Sequence, residues 1–344
     1  MPLLQSALNP LLKLIKLPYK FIVPLKWRIA IIEYTPTLKT NLVFAAAKLI
    51  FFVSHPKCWM FWQRKTILCW PNRPQKKDYV FFKIAFLWGY SLTTDPAADF
   101  NLMIDWEDVT HRRRDPGYLA AVHSLKCVNK GCLNIGKENT DRIFEEVFGY
   151  PLAVDPRAFH GHAVKKSKIN ASHNGEVVSL PIPAPQEDSV YQRLINNEFN
   201  SGSLYDMRVP IFEKEIPFVY YKYRNKDDRF DHYTKADVIK NVQEALSNDE
   251  IAKILAFTEK IGLQYGELDV LRDKDDGRIY IVDANNTPCG PRWDRMAFKD
   301  YIFAVFTLAE VFDRAFLSPS LILSIPPQNQ EKIKFCPRST NWKP

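Results

Sequence analysis

Four oxygen-bearing side chains, Glu267, Asp269, Asp283 and Asn285, lie two residues apart in pairs on two apolar segments, Gly266-Glu267-Leu268-Asp269-Val270-Leu271 and Ile279-Tyr280-Ile281-Val282-Asp283-Ala284-Asn285-Asn286-Thr287-Pro288. Side chains alternate along a strand, so Glu267 shares a face with Asp269, and Asp283 with Asn285. Between them, Asp273-Lys274-Asp275-Asp276-Gly277 has the composition of a hairpin loop. With Arg272 and Arg278 closing that hairpin, Glu267 stands opposite Asp283 and Asp269 lies diagonal to it. Leu268 and Val270 then line one face, while Leu271, Ile279 and Ile281 share the other with the acids. Carboxylates placed so closely repel one another unless positive charge sits among them. Hard divalent cations accept such ligands, and Mg²⁺ commonly takes one or two carboxylates together with phosphate oxygens. The other reading is a solvated edge hairpin whose acids face water.

Gly-Glu-Leu-Asp, a short hairpin and Asp-Ala-Asn-Asn-Thr-Pro resemble the metal-binding end of the ATP-grasp superfamily, of the glutamate-ligase, glutathione synthetase and D-alanine:D-alanine ligase type. The resemblance implies ATP and Mg²⁺ as cofactors, with Asp269, Asp283 and Asn285 as metal ligands. The family's middle ligand is usually Glu, and the shorter Asp283 leaves room for Glu267 to take a share. Upstream parts follow in the family's order from Asn129 to Pro291. Lys137, opening a helix that ends before Gly149-Tyr150-Pro151, resembles the family's phosphate-reaching lysine. Ala163-Val164-Lys165-Lys166-Ser167 and the turn through Ser172 to Gly175 resemble its phosphate-cradling loop, with fewer glycines than usual. Lys165 and Lys166 point to opposite strand faces, so one of them, with Lys166 favoured, faces nucleotide. Tyr191-Gln192-Arg193-Leu194 resembles the strand whose backbone reads adenine, with Gln192 where Glu is common. Asp206-Met207-Arg208-Val209 resembles the Asp-x-Arg strand of the glutamate-ligase branch. Lys222, Arg224 and Arg229 follow as a cationic set suited to a terminal phosphate, an acyl phosphate or a substrate carboxylate.

The resemblance thus implies nucleotide contacts at Lys137, Lys165, Lys166, Ser172, Gly175, Gln192, Leu194 and Asp206, and catalytic roles for Arg208, Lys222, Arg224, Arg229 and Glu267. The activity it implies is an ADP-forming ligase: a small-molecule acid is activated as its acyl phosphate and attacked by an amine or thiol. Two alternatives stay open. One is a phosphotransferase acting on a sugar or lipid-linked acceptor, and the other a non-catalytic, membrane-associated nucleotide-binding protein.

These residues require strands with a few helices. Strand-like runs occur at 163–166, 176–180, 190–195, 207–212 and 217–223, and helical spacing of apolar residues covers 140–148, 235–261 and 301–316. The interleaving lacks strict βαβ alternation, which favours an α+β fold, of ATP-grasp type by the resemblance, with two subdomains clamping ATP. The expected divisions are a helical, apolar and basic segment over 1–77, a small α/β layer over 78–150, the ATP-grasp domain over 151–318 and a Pro-rich basic tail over 319–344. Asp105-Trp106-Glu107-Asp108-Val109-Thr110 follows an apolar strand as a candidate substrate loop. His160 and His162 lack a third ligand and are read as structural or exposed.

Charge is unevenly spread over the 344 residues: the formal +8 conceals 13 Lys or Arg against Glu33 alone in residues 1–77, a net +12. The remaining body is slightly acidic, which argues against a nucleic-acid partner. Residues 1–77 are read first as a helical layer packed on the body with its cations in water, and second as a surface for anionic lipid headgroups. The most apolar run, 42–53, contains Lys48 and is too short to span a bilayer, and no cleaved signal peptide is expected. Six cysteines argue against a disulfide scaffold and for a reducing, cytoplasmic setting, with Cys127 and Cys132 read as partly buried thiols. A cytoplasmic protein, peripheral at the membrane in the second reading of its N-terminal segment, is the resulting expectation.

Overall fold

The computed structural model describes residues 25–55, 65–112, 126–168 and 175–317. Ser172 and the tail over 319–344 lie outside the described residues. The chain divides into two compact units, Met1–Trp62 and Gln63–Pro344. In the first, α1 (Leu25–Ser54) buries Val43, Phe44, Ala47 and Phe51.

The second unit opens with β1 (Thr66–Pro71), a strand inside the segment 1–77 that was expected to be helices broken by turns. Ile67, Leu68 and Cys69 are buried in succession, as in a strand covered on both faces. β1 pairs in parallel with β2 (Ser91–Thr93) and β3 (Leu102–Trp106), and β3 with β4 (Cys127–Val128). The crossover from β1 to β2 is α2 (Val80–Trp88), which stops at Gly89, where φ is +74°. α3 (Lys137–Phe148) ends likewise at Gly149, in the left-handed conformation that favours glycine.

Two antiparallel sheets follow. The smaller has the order β6 (Glu176–Leu180), β5 (Gly161–Ser167), β7 (Ser189–Arg193). The larger runs β11 (Lys235–Ile239), β10 (Val219–Asn225), β9 (Ser203–Phe212), β12 (Tyr265–Arg272), β13 (Ile279–Asn285), with β8 (Glu198–Asn200) beside β9. One face of the larger sheet is the core. Met207, Val209, Leu268, Val270, Ile281 and Ala284 pack there with Ile143, Phe144 and Phe148 of α3 and Ile254, Phe257 and Ile261 of α4 (Asn248–Ile261). α5 (Phe298–Phe312) closes the described chain and continues into a short π-helical turn.

Helical spacing over 235–261 held only for its second half. Lys235–Ile239 is the edge strand β11, and α4 begins after Ser247. Apolar residues at 238, 239 and 242 satisfy both periods over so short a stretch, and pairing with β10 decides for the strand. The helix start was written in a capping box: Ser247 Oγ accepts from the Glu250 amide (3.2 Å), and the Glu250 carboxylate accepts from the Ser247 amide (2.8 Å).

The hairpin register also differs from expectation. Arg272 pairs with Ile279, and Val270 with Ile281, but a bulge then shifts the ladder so that Asp269 faces Asp283 and Glu267 faces Asn285. An extra residue, Val282, enters one strand there. Ile281 consequently belongs to the core face with Val270, and Ile279 pairs with Arg272, so neither shares the acidic face.

Replacing the cap, Ser247→Ala, is expected to lower stability by about 1 kcal/mol, measured as a shift of the urea unfolding midpoint with unchanged slope.

Candidate functional site

The face of the larger sheet opposite the core carries the polar residues singled out above. Register aligns Asp283 of β13 with Asp269 of β12, Asp269 with Arg208 of β9, and Arg208 with Tyr220 of β10. A neighbouring row sets Asn285 beside Glu267, and on the other side Asp206 pairs with Lys222. Residues from four strands, distant in sequence, thus share one surface because alternation puts them all on the same side.

Charge is compensated within this surface. Arg208 Nε forms an ion pair with Asp269, and its Nη1 lies 3.8 Å from Glu267 Oε2. Glu267, only 2% exposed, also accepts from Tyr220 Oη at 3.0 Å. Burial pushes the Glu267 carboxyl up, against the opposing pull of Arg208 and Lys222. Burial also raises Asp283, and Lys137 and Lys166 lie close enough to oppose that rise. Lys222 is held down to about 8 by burial and by Arg208, with its ammonium 4.7 Å from the centre of the Tyr233 ring.

Lys137, at the first position of α3, is buried, and Lys166 of β5 is half-buried. Burial lowers Lys166, and the strongest opposing pull on it comes from Asp283. Lys165, on the other face of β5, pairs with Glu176. One turn along α3 from Lys137, Asp141 accepts from Gln192 Nε2 of β7 at 2.7 Å, and burial raises its carboxyl to about 6. Gln192 Oε1 is buried with no hydrogen-bond partner. Leu194 lies half-buried in the connection that leaves β7 for the larger sheet. Gly175 abuts Phe230 so closely that a Cβ there would sit 2.6 Å from the ring. Close approach, rather than a left-handed turn, therefore explains that glycine.

The members of the expected cationic set have separate partners. Arg224 pairs with Asp206 and donates to the carbonyls of Arg229 (2.9 Å) and Asp231 (3.2 Å). Arg229 donates to Asn197 Oδ1 (2.9 Å) and the Ile195 carbonyl (3.3 Å). Arg224 thus holds the turn that follows its own strand, and Arg229 holds the connection after β7 at Ile195 and Asn197, because their planar forks match the carbonyls and carboxamide present there. Arg208 pairs with Asp269, and Lys222 is influenced by Asp269, Glu267 and Asp206. Asp206 is bound from both sides, by Arg224 and by Asn197 Nδ2 (3.0 Å).

Sequence reading missed the strap that follows β13. Lys83, a lone lysine in the apolar helix α2 and 5% exposed, donates to the carbonyls of Cys289 (2.7 Å) and Pro291 (2.9 Å). The Val80 amide donates to the Pro288 carbonyl (2.8 Å). Gly290, at φ +66°, presses on Val80, and a Cβ there would lie 3.2 Å from Glu267 Oε1. Asp108 accepts from Tyr79 Oη (2.7 Å) and Thr287 Oγ1 (2.8 Å), while Asp105 pairs with Arg112 inside the core at 3.5 Å. The loop expected to meet substrate thus anchors the strap. The lysine inside Val80–Trp88 was the signal, since a charge in so apolar a helix needs a partner. His160 and His162 are exposed, and Cys69, Cys127 and Cys132 are buried thiols.

Among the described residues, no group of three or more His, Cys, Asp or Glu side chains closes into a metal cage. A phosphate-bridging Mg²⁺ does not need one, since it takes part of its shell from phosphate and water. Glu267 Oε1 and Asp283 Oδ1 are buried without a hydrogen-bond partner, an arrangement that costs free energy unless a cation or donor meets them. The donor set of Asp269, Asp283 and Asn285, all oxygen, fits that ion.

No family model and no curated protein matches the chain. Solved structures do. The ATP-grasp ligase PsnB, in complex with a phosphomimetic variant of a minimal precursor, Mg and ADP, is 15% identical, with 54% of this chain and 63% of that chain covered and a TM-score of 0.37. The RimK-domain ATP-grasp protein of Sphaerobacter thermophilus is 13% identical, with coverage of 74% and 100% and a TM-score of 0.42. The D-alanine–D-alanine ligase of Bacillus anthracis is 14% identical, with coverage of 75% and 97% and a TM-score of 0.43. At such identities and scores the likeness carries no weight in assigning a role to any residue of this chain.

Lys83→Met leaves two carbonyls without their donor and is expected to destabilise the fold by about 2 kcal/mol. Burial holds Lys83 at about 8, against 10.5 for an ordinary lysine. Between those values the unfolded chain carries the extra proton, so raising pH favours the native protein, and the variant lacks that gain. The gap between the two proteins in denaturant titrations should therefore be wider at a pH near 9.5 than at one near 7.5.

Proposed function

We propose that the chain binds Mg²⁺-ATP over the acidic face of the larger sheet and acts as an ADP-forming ligase of ATP-grasp type. The reading rests on one observation: Asp283, Asp269 and Arg208 form a row across three strands, and Lys137 and Lys166 reach that row from a helix and from the smaller sheet. Asp269, Asp283 and Asn285 would hold the metal, and Glu267 Oε1 stands next to them as a further acceptor. Bound there, the ion supplies neutralisation of phosphate charge.

The chain's own residues do the rest. Lys137 and Lys166 are compact cations suited to phosphate oxygens, and their approach from separate elements fixes the triphosphate's direction. Arg208, locked by Asp269, presents a preorganised positive dipole where negative charge grows during transfer. A substrate carboxylate attacks the terminal phosphorus, ADP leaves, and an amine or thiol then displaces phosphate from the acyl phosphate, losing its proton to the medium. Such chemistry relies on positioning and charge and needs no activated Ser or Cys. Gln192, Leu194 and the backbone around them are assigned to adenine, and Gly175 and Ser172 to the phosphate loop.

The test is ADP release across a panel of acids with amine and thiol acceptors, with products identified by mass. Asp283→Ala is expected to reduce turnover at least ~100-fold; equal turnover by variant and native protein would remove the site assignment. An amide or thioester product supports the ligase, whereas a phosphorylated acceptor identifies a phosphotransferase instead. Lys166→Ala should raise KM for ATP by about tenfold, and Lys165→Ala should leave it near the native value, because Lys165 faces Glu176.

A further inference from the structure

The first unit carries a surface that the proposed chemistry does not use. Along α1, Leu42, Leu49 and Val53 are 40%, 64% and 51% exposed. Their spacing of seven and four residues stacks them on one stripe of a helix with 3.6 residues per turn. Ala45 and half-buried Phe52 fall on the same side. Lys39 and exposed Lys48 border the stripe on its two flanks. The opposite side is already occupied: Val43, Phe44, Ala47 and Phe51 are 8% exposed or less. The helix is therefore apolar on both sides, with one side buried within the protein and the other left to solvent. Single exposed leucines are ordinary, but an aligned stripe with cations at its borders is the geometry of a helix lying in a membrane interface.

Charge selects the occupant. Residues 1–62, the first unit, carry 8 Lys or Arg against Glu33 alone, a net +7, while the chain as a whole is only +8. A lipid surface with anionic headgroups attracts each such cation when it lies within a Debye length, and an apolar stripe enters the acyl boundary beneath. A nucleic acid would meet the cations but not the leucines. Among the described residues no helix is long and apolar enough to cross a bilayer, so the contact is with the surface.

We propose that the Leu42–Leu49–Val53 stripe of α1 docks the protein on an anionic phospholipid surface, with Lys39 and Lys48 at the headgroups. The inference is independent of the nucleotide site. Flotation of the full chain with phosphatidylcholine vesicles, with and without phosphatidylserine, is the test, and ATP turnover and circular dichroism report on the fold. Binding is expected to the phosphatidylserine vesicles only and to weaken as salt is raised. Leu49→Glu with Val53→Glu should reduce it at least about tenfold, and the milder Leu49→Ser with Val53→Ser should reduce it in the same direction. Lys39→Glu with Lys48→Glu should weaken it at low salt. Absence of binding, equal binding to both vesicle types, or binding indifferent to the leucine and valine replacements overturns the proposal. So does a native dimer that these replacements turn into a monomer, because the stripe would then be covered by a second copy.

Discussion

Four carboxylates on one face of a sheet, three of them on neighbouring strands of a single hairpin, can persist in a folded protein only if positive charge is built in beside them. Asp206, Glu267, Asp269 and Asp283 are that group, and Arg224, Arg208, Lys222, Lys137 and Lys166 are its complement. The balance is local and strained by burial, since burial lifts Asp206, Glu267 and Asp283 above the usual carboxylate range despite their cationic neighbours. Placing these groups in low dielectric makes each interaction stronger and each omission more costly. That explains why cations come from every element that borders the face rather than from the sheet alone.

The surrounding architecture follows from this demand. β9 and β12 lie at the centre of the larger sheet, so Arg208 and Asp269 meet with little freedom to move. α3 packs its apolar side into the core and thereby delivers Lys137 to one end of the acidic row. The smaller sheet adds Lys166, while Asp141 and Gln192 tie α3 to β7. α2 belongs to a parallel layer far earlier in the chain, yet Lys83 and Val80 clasp the strap after β13 and so define what lies over Glu267. Rigid elements holding a polar site from several directions are what a preorganised environment requires.

Much of the site was readable because its signals are local. The alternating acids at 267, 269, 283 and 285, the lysine opening the helix at 137 and the strand lysines at 165 and 166 are patterns of neighbours, and strand alternation alone separates Lys165 from Lys166. The capping box at Ser247 is equally local, although the apolar spacing before it satisfied two periods and misled the reading of β11. Register was not readable. The ladder begins one residue off the expected register, with Arg272 opposite Ile279, and a bulge at Val282 adds a second; together they exchange Asp283 for Asn285 opposite Glu267 and leave Ile279 and Ile281 on the face away from the acids. The contacts of Arg224 and Arg229 were hidden for a similar reason: a guanidinium near other cations in sequence looks available until the carbonyls of the following turn, for Arg224, and of the distant connection after β7, for Arg229, are seen to occupy it.

By itself, the sequence determined which residue types stand at which strand and helix positions, and hence that an oxygen-rich, cation-flanked face would exist. It also determined the basic, apolar character of the N-terminal segment. Tertiary structure alone decided which strands lie side by side, which acid meets which cation, and that a lysine in α2 would hold a strap two hundred residues away. The physical reason is range: backbone propensity and side-chain alternation act over a few residues, whereas burial, ion pairing and sheet register are settled only when distant segments pack together.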